Sequence, residues 1–266
     1  MGGKKMEERY LFALDFDKTL SVQDTGLLLS LKLGISREKF DEKIRKLRRK
    51  SIAKLGGELS YLIIHDPSYK GKVTRKLLRE VGREVKLKKN IPELIGLLRK
   101  GFRGKRFVPY VISASPQKIV EEALKGIIPK NHIYGTLYTY DEKGVVKGAE
   151  WVRAGSAKVQ ALNLARNKER IPPERTVYVG DGHSDMYVML HVKTYNGYPI
   201  AVSPSPFLGH ISKRTVLSQN ALCILIPVLE DIVKLSEEEV REFLEKMGHP
   251  IQEWDRAKIE WVDLAN

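Results

Sequence analysis

Asp15 and Asp17 are the first residues of this chain of 266 residues whose types and spacing could support chemistry, since two carboxylates follow the apolar run at residues 10–14. Side chains two residues apart on a regular strand point to the same face, so both carboxylates would project from the end of a buried strand. Such a pair suits a divalent metal ion and leaves one carboxylate for chemistry. The alternative is an ordinary polar turn after a strand.

Four further polar residues follow short apolar runs or lie near predicted helix starts: Ser113, Lys158, Asp181 and Asp185. Each has a simple alternative explanation. Lys158 is one of 47 Lys and Arg residues and could be a solvated helix lysine, and Ser113 could end a strand. The two aspartates lie beside glycines and could be turn formers. Only their order along the chain, together with Asp15 and Asp17, points to a shared site.

Alternating strand and helix signals indicate the elements that must position these residues. A fold of the α/β class is therefore expected, with a Rossmann-like parallel sheet, helices on both faces and ligands beyond the carboxyl ends of the strands. The expected strands are residues 10–15, 107–112, 176–179, 199–202 and 222–226, with a hairpin at 132–140 and 145–151. Pro109 weakens the first half of its strand, because proline removes a ladder hydrogen bond.

Residues 21–89 interrupt this alternation with four apolar stripes at helical spacing, one of which contains Ile52 and Leu55. A new helix is expected from Asn90 to Lys100, with Pro92 in its first turn. The sequence therefore predicts a discontinuous catalytic core, residues 1–20 and 90–266, with a small helical insertion at 21–89. The core ends in an acidic helical tail at 228–266.

The overall composition limits the classes of protein that fit. The hydrophobic fraction of 42% is ordinary for a globular chain, and no apolar run approaches the roughly 20 residues that cross a bilayer. Cys223 is the single cysteine, which excludes an intrachain disulfide and a cysteine-based zinc site. These features predict a cytoplasmic protein without a membrane partner and leave its oligomeric state open.

The positive charge is unevenly distributed. The formal net charge is +14, and residues 230–263 carry eleven acidic and five basic side chains, so the remainder carries +20. Such a surface attracts anions, including phosphorylated metabolites and nucleic acid. Solvated helix faces are the favoured explanation of the basic runs, because those runs lack the interleaved aromatic residues of a base-stacking surface. Nucleic acid is therefore a possible partner that the sequence does not favour.

The order of the motifs DFDKT, VISAS, GSAKVQAL and GDGHSD resembles the haloacid dehalogenase superfamily over roughly residues 9–228. The helical insertion after the first motif is similar to the phosphoserine phosphatase branch, in which a helical cap covers the site. Lys18 stands where phosphoserine phosphatases usually have Ser, and Ala114-Ser115 where they have Gly-Gly. These departures leave the phosphatase chemistry in place and point to other small phosphomonoesters.

A phosphate monoester repels an anionic nucleophile unless a divalent cation and a positive side chain neutralise both. The resemblance implies that Asp15 is the nucleophile, that Asp17 is the general acid and base, and that Lys158 supplies the fixed positive charge. It further implies that Asp15, the Asp17 carbonyl and Asp181 bind Mg²⁺ and that Asp185 supports the metal shell. Ser113 and the Ala114 N–H are expected to bind the phosphate.

Two more residues carry expected roles near the substrate. Thr19 is expected to orient the nucleophile through its hydroxyl. Asp24 lies nine residues after Asp15, close to where phosphoserine phosphatases carry an acid at the cap entrance, although it could simply cap a helix. The sequence thus predicts an Mg²⁺-dependent phosphatase of a small phosphorylated metabolite that forms an aspartyl-phosphate. A phosphotransferase or phosphomutase, and a nucleic-acid-binding or end-processing protein on this scaffold, are the alternatives.

Overall fold

A seven-stranded, mostly parallel sheet forms the centre of the computed structural model, which describes residues 7–51 and 56–250. The strands are β1 (Glu8–Leu14), β2 (Lys105–Pro116), β3 (Ile133–Tyr140), β4 (Val146–Trp151), β5 (Thr176–Gly180), β6 (Tyr198–Ala201) and β7 (Arg214–Thr215). Their order across the sheet is β4-β3-β2-β1-β5-β6-β7; β4 pairs antiparallel with β3, and the other neighbouring strands in this order pair in parallel. This is the predicted α/β, Rossmann-like fold, and that prediction is confirmed.

Helices fill the connections between the strands. They are α1 (Thr25–Lys32), α2 (Arg37–Arg49), α3 (Glu58–His65), α4 (Arg75–Glu84), α5 (Ile91–Lys100), α6 (Gln117–Ala123), α7 (Ser156–Glu169), α8 (Met186–Thr194), α9 (Pro206–Ile211), α10 (Leu225–Val228) and α11 (Glu237–Lys246). In the described ranges, no helix is both long enough and apolar enough to cross a membrane.

Strand β1 lies at the centre of the sheet and fixes the position of the first motif. It pairs in parallel with β2 on one side and β5 on the other, and its last four residues are fully buried. Leu14 lies opposite Val179, and the Asp15 N–H donates to the Val179 carbonyl over 2.8 Å. The carboxyl ends of β1 and β5 therefore meet, which brings the first and last motifs to the same edge of the sheet.

Alternate residues of β1 point to opposite faces of the sheet, and helices cover both faces. Phe12 and Leu14 pack in one apolar cluster with residues of α5, α6 and the C-terminal helices. Leu11 and Ala13 pack in another cluster with residues of α7, α8 and α9. Burial on both faces explains why the strand is a continuous apolar run rather than an alternating one.

Helices α1 to α4 lie within residues 21–89, called the helical segment below, and their apolar residues belong to a third cluster. That cluster includes Tyr138 and Val146 of the β3–β4 hairpin as well as Ile119 of α6. Two backbone hydrogen bonds join the segment to the hairpin, from the Arg75 N–H to Gly144 and from the Val146 N–H to Val73. The hairpin thus supports the helical segment from the core.

The strand expected at residues 222–226 is wrong. Residues Ala221–Ile224 form a 3-10 turn that continues into α10, and the Asn220 side chain accepts a hydrogen bond from the Leu222 N–H. A short, fully buried apolar run has no period that separates a strand from a helix, so flanking residues decide. Here the cap by Asn220 favours the helical turn.

Strand β2 runs through Pro109 without interruption, where the sequence had suggested a weak first half. The Pro109 carbonyl contacts Nδ1 of His132, on the side where pairing with β3 begins only at Val111. The missing N–H faces that unpaired side, so no ladder hydrogen bond is lost. The predicted stripe residues Ile52 and Leu55, and the tail at 251–266, lie outside the described residues.

Candidate active site

A cavity of about 410 Å³ opens at the carboxyl ends of β1, β2 and β5. Its sheet side is lined by Asp15, Asp17, Ser113, Ala114 and Asp181, among others. The helical segment supplies the opposite side, with Asp24, Asp41, Arg48 and Glu58 among its lining residues. The structure therefore brings six of the predicted site residues together in one cavity: Asp15, Asp17, Asp24, Ser113, Ala114 and Asp181.

Lys158 forms the centre of a buried ion cluster beneath this cavity. Its Nζ lies 2.7 Å from Oδ1 of Asp15 and 2.6 Å from Oδ1 of Asp185, and the Lys158 and Asp185 side chains are both 0% exposed. The first turn of α7 carries Lys158 into this position. A buried lysine needs such partners, because an unpaired buried charge is strongly unfavourable. The ordinary interpretation of Lys158 as a solvated lysine is excluded.

Asp185 is held from several directions. The Tyr178 hydroxyl donates to its Oδ1 over 2.7 Å, and the N–H groups of Asp181 and Gly182 each donate to its Oδ2 over 3.2 Å. Gly180 leaves room for it, because a Cβ at that position would lie 2.6 Å from the Asp185 Cγ. Asp185 thus shapes the loop that presents Asp181 to the cavity.

The carboxylates of Asp15, Asp181 and Asp185 form a group that could hold a metal ion. One oxygen of each lies within 4.8 Å of the others. Oxygen ligands of this kind fit a hard divalent cation such as Mg²⁺. The structure gives the Asp181 carboxylate no hydrogen-bond donor within the described part of the chain, so its oxygens remain available. The donor set therefore fits the expected metal.

Asp17 is held by residues from two different elements. The Thr25 N–H donates to its Oδ1 over 3.1 Å, while the Ser115 and Thr25 hydroxyls donate to its Oδ2 over 2.5 Å and 3.1 Å. Burial and the nearby Asp24 charge raise the pKa of Asp17 to about 7, against the opposing effect of these hydrogen bonds. A carboxyl group with this pKa can exist in both protonation states near neutral pH.

The other charges of the cluster affect one another strongly. Burial and the Asp185 charge raise the pKa of Asp15 above its ordinary value, and the Lys158 charge opposes them. Burial and the Asp15 charge raise the pKa of Asp181 in the same way. Burial alone would lower the pKa of Lys158, but the Asp15 and Asp185 charges raise it above its ordinary value. Lys158 therefore stays positive, and a cation added near the carboxylates would stabilise their ionised forms.

Ser113 and Ala114 lie on the cavity wall in the last part of β2, where the pairing with β3 is irregular. The Ser113 Oγ accepts a hydrogen bond from the Ser115 N–H over 3.2 Å, and the Ala114 carbonyl accepts one from the Thr136 hydroxyl over 2.7 Å. These bonds fix the loop and leave the Ser113 hydroxyl hydrogen free to donate. This geometry is compatible with the predicted phosphate contact.

Thr19 and Asp24 differ in their relation to the cavity. Thr19 is 0% exposed, is not among the cavity-lining residues, and its hydroxyl has no hydrogen-bond partner among the described residues. Asp24 lines the cavity and also caps α1, with its Oδ1 accepting from the Leu27 N–H over 3.0 Å. Both proposed explanations of Asp24 are thus structurally available. The functional role assigned to each residue stays a prediction.

Three residues that the sequence did not assign to the site hold its carboxylates: Thr25, Ser115 and Tyr178. Ser115 belongs to the VISAS motif, so its type and place were visible, but its partner lies 98 residues away in the chain. Tyr178 lies inside a buried apolar strand and looks like a core residue in sequence. Thr25, in the helical segment, carried no motif signal.

The haloacid dehalogenase-like hydrolase family model matches residues 12–190 of this chain. No curated protein matches the sequence at a significant level. Among solved structures, a phospho-aspartyl intermediate analogue of phosphoserine phosphatase is 21% identical, with a TM-score of 0.64 over 82% of this chain and 98% of that one.

Two further solved structures share the fold. A phosphoserine phosphohydrolase-like protein from Francisella tularensis subsp. tularensis SCHU S4 is 21% identical, with a TM-score of 0.61 over 81% of this chain and 97% of that one. A gene product from Archaeoglobus fulgidus is 15% identical, with a TM-score of 0.65 over 89% of this chain and 87% of that one. At these identities the likeness concerns the fold.

Proposed function

The chain belongs to the haloacid dehalogenase-like hydrolase family, and we propose that it is an Mg²⁺-dependent phosphatase that hydrolyses a small phosphomonoester through an aspartyl-phosphate on Asp15. One observation carries the proposal. The Asp15 carboxylate is bound by the buried Lys158 and faces the same cavity as Asp17, Ser113 and Asp181. A nucleophile, an acid and oxygen ligands for a metal thus converge on one small space.

In the first step, a carboxylate oxygen of Asp15 attacks the phosphorus atom, and the bond from phosphorus to the ester oxygen breaks. Asp17 gives its proton to the departing oxygen, so the leaving group departs as a neutral alcohol. Lys158 lies 2.7 Å from Oδ1 of Asp15 and keeps that carboxylate oriented while its charge is lost to the new bond. Ser113 and the Ala114 N–H bind the phosphate oxygens.

In the second step, water attacks the phosphorus atom of the aspartyl-phosphate. Asp17, now ionised, takes a proton from that water, and the bond between phosphorus and the Asp15 oxygen breaks. Inorganic phosphate leaves, and both aspartates return to their starting states. The pKa of Asp17 near 7 suits a group that must first donate and then accept a proton.

Mg²⁺ would be held by Asp15, the Asp17 carbonyl and Asp181, and when bound it neutralises charge on the phosphate. Asp185 supports this arrangement, because it receives the N–H of Asp181 and pairs with Lys158. Its full burial and its bond to Tyr178 favour a supporting role over a place in the open cavity.

The helical segment would act as a cap domain that selects the substrate. Its residues Asp24, Arg48 and Glu58 line the cavity opposite the carboxylates, and a volume of about 410 Å³ suits a small metabolite. The domain boundaries at 20–21 and 89–90 belong to this proposal. That a phosphoserine phosphatase with a phospho-aspartyl analogue shares the fold supports the proposed intermediate.

Hydrolysis of p-nitrophenyl phosphate with Mg²⁺ tests the proposal directly. Asp15→Asn should lower the rate by at least about 1,000-fold, because the amide cannot attack the phosphorus atom. Asp141→Asn is the matched control, since Asp141 is exposed in the hairpin turn and an amide oxygen can still accept the bond from the Val145 N–H. Equal rates for wild type and Asp15→Asn would refute the nucleophile.

A further inference from the structure

A second cavity, of about 600 Å³, lies on the other side of the first motif. Its lining includes Lys18, Lys88, Asp181 and Ser203, and two of these, Lys18 and Asp181, also line the cavity described above. The two cavities therefore share a wall. Nothing in the proposed hydrolysis uses Lys18, Lys88 or Ser203.

Lys88 is an unusual lysine in this chain. It is 8% exposed, and the described residues give its side chain no hydrogen bond and no ion pair. Its backbone is fixed, because its N–H donates to the Leu20 carbonyl over 2.8 Å beside the bridge between Ser21 and Leu87. The charge of Asp181, which lines the same cavity, acts on Lys88 without forming an ion pair. Lysine is almost never buried without a partner, so a largely buried lysine at this cavity favours a further anion.

Ser203 provides a second, independent observation. It follows β6 at the same edge of the sheet, and its Oγ is buried without a hydrogen-bond partner among the described residues. Buried hydroxyl groups in folded proteins are nearly always hydrogen-bonded. Ser203 and Lys88 line the same cavity, so both are candidates for binding one oxyanion there.

The charges and the shape of the cavity define the ligand further. Lys18 and Lys88 contribute two ammonium groups against the single carboxylate of Asp181, and the other lining residues are neutral. Val202 and Leu217 add apolar surface. We propose that this cavity is an anion-binding site that takes the phosphate or carboxylate group of a small organic molecule between Lys88, Lys18 and Ser203.

The anion could belong to either of two sources. It is the second anionic group of the substrate, reaching across the shared wall at Lys18, or it is a separate small molecule that binds beside the active site. Both sources present the same kind of anionic group to the site, and they differ in their effect on substrate binding. The choice between them rests on the proposed phosphatase function, whereas the existence of the site does not.

Crystals soaked in tungstate, a heavy analogue of phosphate, locate the site directly by anomalous scattering. A peak beside Lys88 and Ser203 is expected in the wild type and in Lys89→Met, and its absence is expected in Lys88→Met. Lys89 is the matched control, because it is the exposed neighbour of Lys88 and its loss changes the net charge equally. An empty cavity in the wild type, or an unchanged peak in Lys88→Met, would overturn the proposal.

Titration calorimetry with tungstate gives the same answer in solution. Lys88→Met should weaken the binding event assigned to this cavity by at least about ten-fold, the effect of losing one charge-assisted hydrogen bond. Lys89→Met should stay within about two-fold of the wild type, because exposed charges contribute little. Ser203→Ala weakens the same event and leaves the lysine charges intact. Equal affinities in all four proteins would contradict the site.

Kinetics then separate the two sources. If the anion belongs to the substrate, Lys88→Met raises KM for 1,3-propanediol bisphosphate about ten-fold and leaves KM for propyl phosphate unchanged. If the anion is a separate molecule, both KM values respond alike. Should neither ester be hydrolysed, the phosphatase function fails, while the tungstate peak still decides whether the site exists.

Discussion

The two sides of the active-site cavity are built very differently. On the sheet side, Lys158 and Asp185 are fully buried and each makes two polar contacts at 2.6 to 2.7 Å. On the helical side, the Arg48 side chain is 58% exposed and its Nε lies 2.7 Å from Glu58, whose side chain is 5% exposed. The proposed chemistry thus depends on a buried cluster, and the proposed substrate selection depends on a side that combines exposed groups, such as Arg48 and Asp41, with the buried Glu58.

This contrast has energetic consequences. Removing one partner of a buried ion pair typically costs about 3–5 kcal/mol, because the other charge stays buried without compensation. An exposed pair contributes about 0–1 kcal/mol, since water and salt screen it. Substitutions of exposed groups on the helical side, such as Asp41, should therefore change which substrate binds with little effect on stability. Substitutions in the cluster should affect both stability and catalysis.

Lys158→Met tests the buried side most severely. It leaves the Asp15 and Asp185 carboxylates without their shared cation, so we expect a loss of about 3–5 kcal/mol in the free energy of unfolding. Activity should fall at least about 100-fold, because a fixed positive charge at the reacting carboxylate is removed. Urea unfolding without Mg²⁺ and hydrolysis with Mg²⁺ measure the two effects.

Lys168→Met on the same helix is the control for that substitution. Lys168 is exposed, and within the described residues its Nζ donates to the Asn131 carbonyl over 3.2 Å and lies 5.8 Å from the centre of the Tyr110 ring. Its loss should cost less than about 1 kcal/mol and leave activity unchanged. If the two lysine variants unfolded at the same urea concentration, the buried cluster would not contribute the stability expected of it.

Gly180→Ala tests the support of the proposed metal site without removing a charge. The new Cβ would lie 2.6 Å from the Cγ of Asp185, so that carboxylate must move. Displacing a group that orients a metal ligand typically costs about 10–100-fold in metal affinity. The measurement is the Mg²⁺ dissociation constant by calorimetry, together with the Mg²⁺ concentration that gives half-maximal activity.

Gly182→Ala provides a close comparison in the same loop. A Cβ at Gly182 would have no heavy atom within 4 Å, and its φ of −138° is accessible to alanine. Mg²⁺ affinity should therefore stay within about two-fold of the wild type. Equal losses in both alanine variants would mean that the loop backbone, rather than the place of Asp185, controls the metal.

The sequence was informative wherever one local pattern determined the outcome. The apolar runs at residues 10–14 and 176–179 predicted buried strands, and parallel strands end at one edge of the sheet, which places Asp15 and Asp181 together. The run at 222–226 failed, since burial alone does not distinguish a strand from a helical turn.

The contacts that hold the carboxylates could not be found in this way. Ser115 and Thr25 meet at Asp17 although 90 residues separate them in the chain, so only the folded packing of the helical segment against the sheet brings them together. The pairing of Lys158 with two aspartates follows from the helix position of α7, and no local periodicity encodes it. Motif order identified the residues, and tertiary structure supplied their partners.

Ser115→Ala tests the proton-transfer group at the boundary between the two sides. The Ser115 hydroxyl lowers the pKa of Asp17, so its removal should raise that pKa from about 7. Because the first step needs protonated Asp17, kcat/KM falls as the pH rises through this pKa. The fall should move to higher pH by roughly 0.7 units, as expected for one hydrogen bond of about 1 kcal/mol.

Thr25→Ser is the matched variant for that pH profile. It keeps the backbone N–H and the hydroxyl group that contact Asp17 and removes only a methyl group. Its pH profile should match the wild type within experimental scatter. A profile for Ser115→Ala that coincides with both would show that Asp17 does not donate the proton in the first step.

Asp24→Asn gives the smallest effect and distinguishes the two explanations of Asp24. Asparagine caps a helix as well as aspartate does, so the thermal unfolding midpoint should not change, whereas Asp24→Ala should lose about 1 kcal/mol. The Asp24 charge raises the pKa of Asp17, so its removal should shift the fall in kcat/KM to lower pH, opposite to Ser115→Ala.

The substrate dependence of Asp24→Asn then completes the comparison of the two sides. Asp24 lines the cavity from the helical side, so a substrate with a cationic group should show a higher KM in the variant, while p-nitrophenyl phosphate should not. Steady-state kinetics with phosphoethanolamine and p-nitrophenyl phosphate measure this difference. Unchanged KM values for both substrates would mean that Asp24 acts only as a helix cap. The helical side would then select its substrate through other residues.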